Sequence, residues 1–511
     1  MTGKKKSRTY YVAKNGIIGI ANKLIVIFLA FLGRTIFIKT LGTEYLGING
    51  LYTNILTVLS LTELGIGNVL TFSLYKPLAE NDEEKLSNLM FFYKKLYRWI
   101  AFVIFIIGIC IIPGLRHIVK STLASREVVL YYIIFLFNSA VSYLGVYKST
   151  LIKADQKQYV VDSIFTISRF IVTIVQLVSL IVFRNFTMYL VIMVIGTILQ
   201  NIILTMIVDK NYNISKSPQS LIEYEKKEIV RNVKSTFLYK FGQIIINYTD
   251  NILISIFVGT LYVGFYSNYS MITTQVQGFI SILTAALIAS IGNLVTENNK
   301  IRSYELFNQL TILFHIIAAF CSLCFLAVFN DFILLWLGKE FVLDIGVVFA
   351  ITFSFYIQNI INQVWMYREA YGLFKEIKFL MLITALINII FSVILGIKFG
   401  MAGIVIATGI ARLLTTVWYE PKVLFKNIFN EDVRVYYLAQ IKYCICTVIS
   451  FLIVYYLTRE LSVSIMSIGI KIILSFVVVI SVFSILNSNN ESFKTLLNKV
   501  LIIKNKVITK V

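Results

Sequence analysis

Gly42-Thr-Glu-Tyr-Leu-Gly47 recurs about half a chain later as Gly259-Thr-Leu-Tyr-Val-Gly264, and the echo continues in Ile66-Gly-Asn68 and Ile291-Gly-Asn293. Each hexapeptide follows an apolar stretch long enough to cross a bilayer and has glycine where a tight outward turn between helices needs it. Tyr45 and Tyr262 suit the headgroup level, where amphipathic aromatic rings collect. A motif repeated in the same sense at this spacing predicts two related, parallel helix bundles, an arrangement on which alternating access commonly rests.

The remaining sequence supports that frame. Of 511 residues 58% are apolar, and the mean hydropathy is +0.81, which leaves more apolar surface than a water-soluble core can hide. Crossing about 30 Å of hydrocarbon takes about 20 helical residues. Stretches of that length recur from end to end, about 14 in all, among them 16–38, 46–75, 236–258, 378–397, 400–419 and 464–486, the last interrupted by Lys471. The expected fold is an all-α polytopic membrane protein. A basic segment, 1–15, leads into a six-helix bundle, 16–208, and a linker, 209–235. A second six-helix bundle, 236–419, shares a central cavity with the first, and two extra transmembrane helices within 437–486 and a basic tail, 487–511, complete the chain.

Charge sets the orientation. The chain has 47 Lys and Arg against 26 Asp and Glu, a formal charge of +21. With the N-terminus inside, inward segments hold about 32 of the cations and outward loops about 8, which places both termini in the cytoplasm. Orientation and attraction to anionic headgroups account for the charge without nucleic acid. The run Lys4, Lys5, Lys6, Arg8 and Lys14 precedes an apolar segment with no small-residue cleavage site, so the first helix is expected to stay as an anchor. The five cysteines, including Cys321, Cys324, Cys444 and Cys446, read as apolar fillers, and no metal or cofactor is expected.

Loop lengths exclude some chemistry. The outward connections are short, the longest being 113–127, and their acids Glu44, Glu127, Asp331, Glu340 and Glu460 make no convincing catalytic pair for a membrane glycosyltransferase or polymerase. No Gly-x-x-x-x-Gly-Lys-Ser/Thr phosphate loop is present. Leu221, Ile222, Tyr224, Ile229 and Val233 make the linker a partly interfacial helix.

Phe37-Ile-Lys-Thr-Leu-Gly-Thr-Glu-Tyr-Leu-Gly47, followed by Leu61-Thr-Glu-Leu-Gly-Ile-Gly67 and Leu74-Tyr-Lys-Pro-Leu78, resembles the N-terminal signature of bacterial polysaccharide flippases of the O-antigen and capsule (Wzx) type. These belong to the multidrug/oligosaccharidyl-lipid/polysaccharide exporter superfamily. The resemblance is specific in the first two helices, weaker in the seventh and eighth, and rests elsewhere on hydropathy and helix count. It implies alternating-access transfer of undecaprenyl-diphosphate-linked oligosaccharide from the inner to the outer leaflet of the cytoplasmic membrane, for an envelope polysaccharide. Membrane lipids, a polysaccharide polymerase and glycosyltransferases are candidate partners. A drug or solute cation antiporter of the same superfamily is the alternative, and a membrane glycosyltransferase or polymerase is less favoured.

Ionisable residues inside spans are costly and mark candidate sites. Arg34 in the first helix leads, because a guanidinium grips a diphosphate through paired charge-assisted hydrogen bonds. Arg169, Lys240 and Arg412 are further substrate-binding candidates; snorkelling competes as the account of Arg34 and is favoured for Lys240 and Lys23. Glu63 and Asp250 are the ion-coupling candidates, taking up a proton or Na+, or else pairing with the cations, while Asp162 is expected to be solvated. For sugar hydroxyls the candidates are Gln275, Gln277, Gln358, Asn359, Asn362 and Gln363. Positions 359, 362 and 363 share a helical face, and hydrogen bonding between helices is the competing account. His315 reads as a packing residue.

Overall fold

The computed structural model describes residues 8–508 apart from 61–65, 216–220, 222, 298 and 375, and the described residues contain helices and no strand. In chain order the helices are α1 (Arg8–Leu41), α2 (Thr43–Leu59), α3 (Ile66–Glu80), α4 (Glu83–Ile111), the single turn α5 (Leu115–Ile118), α6 (Ser125–Ala154), α7 (Gln158–Phe183), α8 (Phe186–Asn211) and α9 (Glu223–Phe257). There follow α10 (Thr260–Glu297), α11 (Lys300–Trp336), α12 (Ile345–Asn359), α13 (Asn362–Tyr371), α14 (Leu380–Leu414), α15 (Thr416–Leu424), α16 (Val433–Thr458), α17 (Ile465–Leu486) and α18 (Glu491–Ile508). Two compact units divide the chain, residues Met1–Gly264 and Phe265–Val511.

Both repeated hexapeptides are helix-to-helix turns. Gly42 separates α1 from α2 and Gly259 separates α9 from α10, with φ of 88° and 132°, values a side chain would resist. The second glycines do something different. A Cβ on Gly47 would strike the Thr260 carbonyl and one on Gly264 the Thr43 carbonyl, and each would lie 3.2 Å from the other glycine's nitrogen. Thr43 and Thr260 hold the same place in the repeat, so the two turns cross with local two-fold symmetry inside the first unit.

One short loop holds both turns. Ser255 Oγ donates to the Ile118 carbonyl at 2.7 Å and Thr260 N to the Lys120 carbonyl at 3.1 Å, while Ser121 Oγ and Thr122 Oγ1 each donate to Glu44 at 2.6 Å. Partial burial alone would raise the Glu44 carboxyl, but these donors prevail and hold it below the usual carboxylate range. A depressed folded-state value contributes stability that is complete above the unfolded pKa, about 4.3, and is lost as pH falls through the folded one. Glu44→Gln should therefore lower thermal stability at pH 7 and flatten the acid limb, the two proteins converging below about pH 4; equal acid limbs in the two proteins would show the clasp to be energetically silent.

Within the first unit α1 packs on α7, α6 lies against α4 and α8, and α2 lies against α9. Lipid gives apolar helices no reason to prefer each other, so small residues and polar contacts do the joining. Gly196 receives Val172, Thr197 Oγ1 donates to Asn138 Oδ1 at 2.7 Å, and Asn201 Nδ2 donates to the Val141 carbonyl at 2.8 Å, fixing α8 to its neighbours. The opposite faces of α7 and α8 expose Ile171, Val178, Ile181 and Met206, as a lipid-covered surface requires. The second unit centres on α11, which packs against α12, α16, α17 and α18. Its core gathers Ile312, Leu323, Tyr443, Val479 and Phe483, with Phe493 of α18 inserted.

Among the described residues, eleven stretches are long and apolar enough to cross a membrane, three fewer than the fourteen expected from sequence. The three discrepancies have separate causes. The stretch at 46–75 is interrupted by residues outside the description and yields two shorter helices, α2 and α3. The stretch at 236–258 belongs to the 35-residue α9, whose first half is charged, and it packs in the first unit rather than opening the second. The stretches at 378–397 and 400–419 join into one 50-residue path, Leu380–Phe429, kinked at Gly400. Of the proposed linker, Glu223–Ser235 is the start of α9, while Tyr212 donates to Asp155 at 2.8 Å and Asn213 to Glu83 at 3.1 Å.

Candidate functional site

Lys23 and Arg34 stand about three turns apart on α1, roughly 16 Å along one face. That helix lies against α7, and Lys23 is near enough to Arg169 of α7 for the two charges to interact. Tyr189 of α8 comes within electrostatic range of both Arg34 and Arg169. The Tyr189 ring is fixed edge-on by Phe37 at 5.2 Å, and its carbonyl accepts from the buried Gln176 Nε2 at 3.0 Å. Lys23, Arg34 and Arg169 thus lie on two helices that pack against each other.

Lys240 and Asp250 lie on α9, the lysine part-buried and the acid buried, about 15 Å apart and so too distant to pair with each other. Glu63 lies outside the described residues. Asp162 accepts from Gln158 Nε2 at 2.7 Å in the first turns of α7.

In the second unit the amide cluster surrounds a break in a helix. Between α12 and α13 the chain leaves helical geometry at Ile361, φ −111° and ψ 8°, and between α14 and α15 it does so at Thr415, φ −125° and ψ −80°. Neither break is at proline or glycine. Side chains take up backbone groups around both. Asn359 Nδ2 donates to the Phe355 carbonyl at 2.8 Å, Gln363 Nε2 to the Ile360 carbonyl at 3.0 Å, Thr415 Oγ1 to the Ala411 carbonyl at 2.6 Å and Thr416 Oγ1 to the Arg412 carbonyl at 3.1 Å. The amides also bond to one another, Asn359 to Gln277 at 3.0 Å and Asn362 to Asn359 at 2.9 Å, and Gln363 reaches Tyr436 at 3.3 Å. Asn359, Asn362 and Gln363 are buried, so this cluster is folded inward on itself. Gln275 Oε1 has no hydrogen-bond partner among the described residues.

Arg412, an expected cargo contact, is buried and donates to Gln358 Oε1 at 2.6 Å. His315 is fully buried, its Nδ1 2.9 Å from the Thr311 carbonyl and its ring 5.0 Å from Tyr443. Two ion pairs went unread in the sequence. Arg368 and Glu420 pair at 2.7 Å with side chains only 4% and 2% exposed, and Lys471 pairs with Asp331 at 2.6 Å. The first two residues follow directly on apolar stretches and look interfacial, whereas α13 and α15 carry them onward as helix. Lys471 reads as an interruption of its span because its partner is 140 positions away.

Eleven stretches long and apolar enough to cross a membrane, with polar clusters between the helices, define a polytopic helical membrane protein. Solved structures of similar fold include the lipid II flippase MurJ in an inward closed conformation, 14% identical, covering 93% of this chain and 98% of that one with a TM-score of 0.71. An inward-facing multidrug resistance MATE transporter is 14% identical over 81% of this chain and 99% of its own, TM-score 0.62. The MATE multidrug transporter DinF-BH is 17% identical over 84% and 100%, TM-score 0.58. The sequence pattern of the polysaccharide biosynthesis protein family matches residues 12–295, more than half of the chain, and the protein belongs to that family. No match is found among curated protein sequences.

Proposed function

We propose that the protein flips an undecaprenyl-diphosphate-linked oligosaccharide from the inner to the outer leaflet of the cytoplasmic membrane for an envelope polysaccharide. The observation that carries this reading is membership of a polysaccharide biosynthesis family, with a fold similar to that of a lipid II flippase and with Arg34 and Arg169 on the packed helices α1 and α7. Arg34 and Arg169 hold the diphosphate, the lipid tail stays in the bilayer, and both termini face the cytoplasm, in line with the Lys and Arg bias. A proton or Na+ supplies the driving force, with Asp250 or Glu63 as its site. The protein performs no bond chemistry of its own, and a polymerase acts on what it delivers.

Depleting the protein should leave lipid-linked oligosaccharide shielded from an impermeant sugar-modifying reagent. Accessible but unpolymerised oligosaccharide would point to an enzyme, and normal polysaccharide to export of another solute. Arg34→Ala removes charge-assisted hydrogen bonds worth about 1.5–3 kcal/mol, so export should fall about 10- to 100-fold at unchanged membrane abundance. Undiminished export would take Arg34 out of the cargo site.

A further inference from the structure

The two helix breaks of the second unit are neighbours. Ile360 and Ile361 from the first pack with Val417 from just beyond the second, together with Ile357 and Ala318. Each side of this paired discontinuity has its own arginine clamp. Ahead of the breaks, Arg412 of α14 binds Gln358 of α12 at 2.6 Å; beyond them, Arg368 of α13 binds Glu420 of α15 at 2.7 Å. Val364 N turns to the Ile361 carbonyl and Thr415 N to the Arg412 carbonyl, and the Ile360 and Ala411 carbonyls they leave are taken by the Gln363 and Thr415 side chains, so the breaks hold these groups satisfied without the helical ladder.

We infer that α13 and α15 form one rigid piece, hinged on α12 and α14 at residues 360–361 and 415, so that the second unit bends internally during transport. A hinge needs a few residues that absorb a dihedral change and two stiff bodies on either side. Tyr367 and Tyr371 extend the moving piece to α11, since Tyr367 OH donates to the Ser303 carbonyl at 2.6 Å and Tyr371 OH lies 3.1 Å from Ser303 Oγ. The first turn of α11 is accordingly expected to follow it.

The test needs no cargo, so its outcome is separate from that of the flippase reading. Spin-label pairs would be introduced at Phe349 with Leu386, ahead of the breaks, and at Ala370 with Lys422, beyond them, in a chain whose five cysteines are alanine, in nanodiscs of phosphatidylethanolamine and phosphatidylglycerol. Those two distances should each be single and narrow. The pairs Phe349 with Lys422 and Leu386 with Ala370, which cross the breaks, should show two maxima separated by about 5 Å, the scale of one helical turn. Four narrow distributions would overturn the hinge. On the unaltered chain, hydrogen–deuterium exchange should run faster at 359–362 and 414–417 than in the helices on either side, and uniform protection through both breaks would equally overturn it.

Discussion

Glu420→Leu should destabilise the protein by about 3 kcal/mol, whereas Arg368→Met combined with Glu420→Leu should return most of that loss. Removing one member of a buried ion pair leaves an uncompensated charge and costs roughly 3–5 kcal/mol, while replacing both by apolar groups of similar volume is often neutral. The lower end applies here because helices unfolded within a bilayer find other polar partners. Glu369, half-exposed and 3.6 Å from Arg368, gives the arginine a second carboxylate in the Glu420 variant. No such relief is available from that residue in the Arg368→Met variant, where the cation itself is gone and the Glu420 side chain is 2% exposed. Arg368→Met should therefore be the worse of the two single variants. The measurement is the temperature at which half of the monodisperse protein is lost in each variant, arranged as a double-mutant cycle. A double variant as unstable as Arg368→Met would mean that shape, not charge, holds α13 to α15.

The sequence disclosed the membrane class, the repeat and both turn glycines because each is a local signal: an apolar run, a short motif, a residue type suited to positive φ. The family resemblance rested on the same stretch, residues 37–78. What stayed hidden was pairwise. Lys471 and Asp331 lie 140 positions apart, and nothing near either one names the other. Arg368 and Glu420 follow apolar stretches closely enough to look solvated, and only the continuation of two broken helices takes them indoors. The breaks themselves carry no proline or glycine, so hydropathy runs straight through Ile360, Ile361 and Thr415. Asn359, Asn362 and Gln363 were found by their helical spacing, yet spacing tells which face they share and not that the face turns inward to Gln277 and Tyr436. Tyr189, which lies near both Arg34 and Arg169, gave no signal among 30 tyrosines.

Gly47→Ala should cost more than Gly42→Ala, although Gly42 alone of the two has a backbone conformation that alanine resists. A Cβ on Gly42 meets nothing within 4 Å, so that substitution carries only the strain of a positive φ, about 1–2 kcal/mol. At Gly47 the methyl group meets the Thr260 carbonyl, a backbone atom held in place by Thr260 N on Lys120 and by Ser255 at 2.8 Å from the Thr260 hydroxyl. It cannot rotate away as a side chain would, so α2 must move off the turn, at the upper end of the 1–3 kcal/mol typical of overpacking, about 3 kcal/mol. Gly264→Ala should behave alike by the local symmetry, and the double variant should cost less than the sum, since α2 needs to move aside once for both methyl groups. Thermal loss of monodisperse protein in matched nanodiscs ranks the four variants. If Gly42→Ala were the most damaging, the turn and not the crossing would be what the repeated hexapeptide preserves.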